Sequence, residues 1–231
     1  MKPAPAKSTD PGVLEELGRA TLQIVHDLKN QLNGLKLYAT FLRKRLESAD
    51  RSVEERETLA KLIAGLDRAA KDMTALLRYA QPLELHPQPR IDLRKIISSV
   101  VAEAAARDTG GLPRVTITAD IENEPMVGDF DPAALTEAIK AVTDDVRAAV
   151  PAKEMNDVSL NARRVIGTGA PNVLIEWNGV RLNARNNPFR SSIGCGRVHT
   201  ALAARIIEAH GGQLKCDNGT IRAWLPLSTD H

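Results

Sequence analysis

A histidine followed at once by an aspartate, with an asparagine four residues beyond the histidine, is the part of this sequence best equipped for chemistry: His26, Asp27 and Asn30. A neutral imidazole is well populated near pH 7 and offers a nucleophilic ring nitrogen. An adjacent carboxylate can take its proton or fix the orientation of the ring. On a helix, Asn30 stands one turn beyond His26 on the same face. Its amide can bond to a transferred phosphoryl group or to the carboxylate. Together the three side chains suit the formation and release of phosphohistidine. The bland reading is an exposed helical histidine that does nothing, and spacing alone does not separate the two.

The segment around His26 must be a helix for that geometry to exist. No proline occurs from Val13 to Glu47, and Val25, Leu28, Leu32, Leu35, Ala39, Leu42 and Leu46 recur at alternating steps of three and four. This is a coiled-coil-like seam on a helix roughly 50 Å long. His26 then lies just beside the seam and faces solvent. Residues 48–52 supply a polar turn. Leu59, Leu62, Leu66, Ala69, Met73, Leu76 and Ala80 repeat the pattern until Pro82 ends it. The expected product is a long antiparallel helical hairpin. Two helices cannot enclose seams of this length, whereas two copies forming a four-helix bundle can, so a homodimer through residues 13–81 is predicted.

Prolines 82, 87 and 89 mark residues 82–90 as a linker. Beyond it the periodicity changes. Helices are predicted over Leu93–Ala106, from Pro132 to about Ala149 behind an Asp131 cap, and over Arg197–His210 before Gly211 and Gly212. Strands are predicted over Val115–Thr118, Val158–Val165, Val173–Trp177 and Thr220–Leu225. The mixture lacks the regular alternation of a parallel doubly wound sheet. The fold class is therefore α+β: the hairpin at 13–81, then a two-layer α/β sandwich at 91–231, with residues 1–12 as a disordered tail.

Composition excludes several functions. Across 231 residues the net charge is +2 and aromatics make up 3%. Neither value suits a nucleic-acid binder working through phosphate contacts or base stacking. Cys195 and Cys216 lack metal-ligand spacing, no metal site is expected, and both thiols read as reduced. No apolar run approaches a membrane span, and the N-terminus lacks a signal-peptide core. These features predict a cytoplasmic protein without nucleic-acid or membrane partners.

The segment His26-Asp27-Leu28-Lys29-Asn30 resembles the H-box of histidine kinases, and Leu76-Leu77-Arg78-Tyr79-Ala80 resembles the exit of their second helix. Gln31 replaces the proline that bends the helix in many members. Gly34 either loosens the same stretch or is a tolerated surface glycine. The resemblance extends over nearly the whole chain. The run from Ala201 to Gly212 is similar to the helix and turn that close the kinase ATP-binding domain, and Pro188-Phe189 to the pair before its glycine loop. It implies an ATPase-type second domain and His26 as phosphoacceptor, with Asp27 and Asn30 beside it.

Measured against that family, the nucleotide site is degenerate. Ala141 stands where an asparagine would bind Mg²⁺, which takes oxygen ligands. Asp145 lies one turn on and is read, with Asp144, as a solvated surface charge. Trp177 or Asn178 replaces the adenine-binding aspartate, and Val180 and Arg181 follow Gly179 where glycine is expected. Gly194-Cys195-Gly196 is all that remains of the last glycine motif. Asp145, Asn178, Gly179, Gly194 and Gly196 are thus vestigial nucleotide-binding positions. Arginines 181, 185 and 190 could hold phosphate, but are read as keeping a short lid-like loop soluble.

The implied protein is a two-component phosphorelay member, a dimeric histidine phosphotransferase that carries phosphate on His26 between response-regulator receiver domains. Asn33 and Lys36 would lie on the receiver-docking flank. No cofactor is required in this reading. An active, divergent kinase would need Mg-ATP, and a third alternative is a non-catalytic dimeric adaptor.

Overall fold

Uninterrupted helix-forming sequence produces two long helices, α1 (Pro11–Glu47) and α2 (Val53–Ala80). The computed structural model describes residues 11–47, 53–106, 115–149, 156–166, 171–178, 198–217 and 220–228. The chain divides into two compact units, Met1–Gln81 and Pro82–His231.

In the first unit, α1 and α2 lie against each other. Residues 48–52 can reach at most about 18 Å, so α2 can accompany α1 over its length only by running back along it. Lys36 Nζ lies 2.5 Å from Asp67 Oδ1 across the pair. Ala39 and Ile63 are buried nearby. The helix passes through Gln31 and Gly34 without a break, and a Cβ at Gly34 would meet nothing. No close packing therefore requires a glycine at position 34.

The stripe on α1 divides in two. Val25 and Leu32 are half-buried and Ala39 is buried. Leu28, Leu35 and Leu42, the positions that alternate with them, are 41, 54 and 50% exposed. One half of the seam is therefore covered and the other half is wet.

The second unit begins with strand β1 (Gln88–Asp92), which starts inside the stretch read as linker. Then follow α3 (Leu93–Ala106), β2 (Val115–Ile121), β3 (Val127–Phe130), α4 (Pro132–Ala149), β4 (Asn156–Ile166), β5 (Pro171–Asn178), α5 (Val198–Ala209), β6 (Gln213–Asp217) and β7 (Thr220–Pro226). β1 and β3 form a small antiparallel pair, irregular between Gln88 and Ile91, where Arg90 takes a φ of 59°. The main sheet has the order β2-β4-β5-β7-β6, parallel between β2 and β4 and antiparallel elsewhere.

Alternation along β7 buries Ile221, Ala223 and Leu225. Leu135, Ala138, Ile139, Val142 and Val146 of α4 and most of α5 complete the core. α3 lies beside α4, and α4 beside α5, so the helices form one layer. Asp131 caps α4: its Oδ1 accepts the backbone N–H of Ala133 and of Ala134, both at 3.0 Å. Its Oδ2 accepts the N–H of His86 at 2.9 Å, which pins the incoming chain to the cap.

α5 ends as its two glycines predict. Gly211 adopts a φ of 75°, Gly211 N donates to Glu208 O and Gly212 N to Ile207 O. This is the paired-bond stop that a left-handed glycine makes possible. A Cβ on Gly212 would run into the Trp224 carbonyl oxygen and Ile207.

Candidate functional site

His26 sits on α1 with about half of its side chain exposed, and Asp27 is slightly more exposed. The contacts of the ring with its neighbours fall on one nitrogen. Asp27 Oδ1 lies 3.5 Å from His26 Nδ1, and Asn30 Nδ2 lies 3.4 Å from the same atom. These neighbours favour opposite tautomers. With its proton on Nδ1, the ring can donate toward Asp27 and keeps the Nε2 lone pair for an incoming electrophile. With its proton on Nε2, Nδ1 accepts from Asn30. The i,i+4 step from His26 to Asn30 places both on one face. Asp27 lies about 100° around the helix, and its side chain reaches back to the ring. Gln23, which sequence reading missed, completes the group by donating from Nε2 to Asp27 Oδ1 at 3.0 Å.

Of the two residues expected on the docking flank, Asn33 is exposed on the His26 side. Lys36 instead directs its ammonium to Asp67 of α2. From His26 through Asn30 and Asn33 the exposed row continues to Leu37, which is 70% exposed.

Of the positions assigned to a vestigial nucleotide site, Asp145 and Asn178 lie among the described residues. Asp145 is not a solvated charge. It is 5% exposed, and its Oδ2 accepts the Thr200 N–H at 3.2 Å and the Thr200 hydroxyl at 2.7 Å. The burial of Asp145 has a physical cause: Ala138, Val142 and Asp145 share the inward face of α4, and the start of α5 supplies donors there. Ala141 presents only a methyl group. Trp177 is fully buried, and its indole N–H donates to Thr143 Oγ1 at 3.0 Å. Thr143 in turn donates to the Ile139 carbonyl at 2.7 Å. Asn178, one of the two residues that replace the adenine-binding aspartate, accepts at Oδ1 from Thr220 Oγ1 at 3.2 Å. Glu176 is held between Arg222 and Arg163. Gly179, Gly194 and Gly196 lie outside the described residues. Asp145, Trp177 and Asn178 are thus each engaged by a side chain of the same unit. Among the described residues no cluster of His, Cys, Asp and Glu has the arrangement of a metal site.

Two carboxylates of this unit are held below the usual range. Burial opposes ionisation of Asp131, but the N–H groups of Ala134, His86 and Ala133 and the nearby His210 outweigh it. For Asp92, the side-chain bonds from Arg94 are the largest cause, with backbone N–H groups of Arg94 and Met126 adding to them against burial. Both groups are structural and remote in sequence from His26.

No helix among the described residues is long and apolar enough to cross a membrane. No protein-family model matches the chain, and no curated protein sequence does. Solved structures do share its fold. The histidine kinase AdeS of Acinetobacter baumannii aligns with a TM-score of 0.56 at 14% identity, over 88% of this chain and 98% of that one. Full-length ShkA, solved in complex with AMPPNP, aligns with a TM-score of 0.60 at 19% identity, over 91% of this chain and 46% of that one. The fold is thus that of histidine kinases, a helix pair followed by an ATPase-type α/β unit.

Proposed function

We propose that this chain, built on a histidine-kinase fold, is a histidine phosphotransferase of a two-component phosphorelay. It takes a phosphoryl group from the aspartyl phosphate of one receiver domain onto His26 and passes it to the aspartate of another. The observation that carries this reading is the exposed imidazole with a carboxylate and an amide both directed at Nδ1. In the forward step the Nε2 lone pair attacks phosphorus and the P–O bond to the receiver aspartate breaks. The electron pair of that bond leaves with the receiver carboxylate. As the N–P bond forms, the ring becomes cationic, and Asp27 stabilises it by accepting the Nδ1–H bond. Transfer to the second receiver reverses these changes.

No cofactor of the chain's own is required, because the receiver supplies Mg²⁺ and the acidic pocket. The docking row is His26, Asn30, Asn33 and Leu37, with Lys36 serving the helix pair. The wet half of the seam, Leu28, Leu35 and Leu42, is the surface for a second copy, giving a homodimeric four-helix bundle.

The kinase reading draws equal support from the fold, since the neighbours are histidine kinases. It requires Mg-ATP in the second unit and autophosphorylation of His26. The engagement of Asp145 by Thr200, of Asn178 by Thr220 and of Trp177 by Thr143 favours the phosphotransferase. The adaptor reading assigns no role to the ring of His26.

The test is to incubate the protein with ³²P-phosphorylated receiver domains and, separately, with γ-³²P-ATP and Mg²⁺. Acid-labile label arriving from receivers alone is the expected outcome. Label from ATP establishes the kinase, and label from neither establishes the adaptor.

A further inference from the structure

We propose that Gln23 is a positioning residue for the chemistry at His26, selecting the ring tautomer through Asp27. The inference rests on the phosphotransferase reading for its consequence in rate, but its physical content is independent of that reading.

The starting point is a competition. Asp27 Oδ1 and Asn30 Nδ2 both face His26 Nδ1, at 3.5 and 3.4 Å, and a single ring nitrogen cannot donate to one while accepting from the other. Only the tautomer protonated on Nδ1 leaves Nε2 nucleophilic. Asp27 is more than half exposed, so water competes for its oxygens and its rotamer is weakly held. Gln23, one turn earlier, donates to the same Oδ1 that faces the ring, at 3.0 Å. A carboxylate oxygen has room for two donors. The Gln23 amide can therefore fix Asp27 without displacing His26. Holding Oδ1 toward the ring favours the Nδ1–H tautomer over the one that Asn30 supports. It also keeps the carboxylate in place when the ring becomes cationic.

Three variants isolate this role, because Gln, Ala, Lys and Glu are all good helix formers and leave α1 intact. In Gln23→Ala the bond to Asp27 is lost. In Gln23→Glu a like charge faces Asp27 one turn away. In Gln23→Lys a donor is restored. Long-range ¹H–¹⁵N spectra of the His26 ring in the full chain report the tautomers directly. The Nδ1–H form should predominate in the wild type and in Gln23→Lys, and lose population in Gln23→Ala and Gln23→Glu. Phosphoryl uptake from a phosphorylated receiver at saturation should fall about 1.4- to 2.3-fold in Gln23→Ala, the scale of one exposed helical pair. Its KM should stay unchanged, and Gln23→Lys should restore the rate. Identical tautomer populations in the wild type and Gln23→Ala overturn the proposal. If the wild type accepts no phosphate from any receiver, the phosphotransferase reading fails, while the spectra still decide the role of Gln23.

Discussion

The helix pair and the α/β unit treat their reactive groups in opposite ways. On α1 an imidazole, a carboxylate and two amides stand at the surface beside exposed leucines. In the second unit the buried polar groups Asp145, Thr143, Glu176 and Thr200 are engaged by partners inside the same fold, as is the indole of Trp177. The difference teaches where this chain can do work. A group already satisfied within the fold must give up its bonds before it can bind anything else. The groups around His26 can receive a partner at little cost, and the open half of the seam gains free energy by being covered. In the second unit the polar side chains named above hold its helices and sheet together.

The largest effect that would break this comparison belongs to His26. His26→Gln keeps an amide of similar reach but no nucleophilic nitrogen, so acid-labile label from a phosphorylated receiver should disappear entirely. Appreciable residual label would move the chemistry elsewhere. Next is Leu35→Glu, which places a charge on the wet half of the seam. Light scattering should show the molar mass falling from that of two chains to that of one, with phosphate uptake per chain reduced but not abolished. An unchanged mass would mean that Leu35 faces no second copy.

Smaller effects sharpen the picture of the second unit. Thr143→Val removes the acceptor for the buried Trp177 N–H and should cost about 1–3 kcal/mol. Both tryptophans, Trp177 and Trp224, lie in this unit, so a fluorescence-monitored denaturant midpoint reads its stability alone. Uptake of phosphate by His26 should not change. The smallest effect is on pH. Asp131 and Asp92 are depressed in the folded state. Their contribution is therefore present above the ordinary aspartate pKa of about 4 and is lost as pH falls through the lower folded values. The fluorescence midpoint should drop on going from pH 5 to pH 2.5, and Asp131→Ala, about 1 kcal/mol less stable at pH 5 through loss of its cap, should drop less.

Much of the architecture is readable from periodicity. The predicted helix Leu93–Ala106 and the Asp131-Pro132 start of α4 stand as expected, because apolar spacing and capping are local signals. β1, β3 and β6 escaped notice for reasons that are also local. Gln88–Asp92 carries Pro89 and exposed polar residues, Val127–Phe130 is four residues long with a glycine, and Gln213–Asp217 buries only Leu214. Their pairing is decided by strands elsewhere in the chain. At the site, the face shared by His26 and Asn30 follows from helical spacing. Gln23 carried no chemical signal of its own, although its i,i+4 step to Asp27 was visible. The pair Asp144-Asp145 resembles a surface charge run. The 3-4-3 spacing of Leu135, Ala138, Val142 and Asp145 was the overlooked clue, and the donors that make burial tolerable come from Thr200, 55 residues away.

The bond between Asp131 and His86 has a further consequence for which residues position 86 will accept. The carboxylate holds a main-chain amide and not the imidazole, whose residue is exposed. The tether is therefore blind to side-chain identity. Nearly any amino acid can occupy position 86 and preserve it, while proline alone, having no hydrogen on its nitrogen, would cut the entering strand loose.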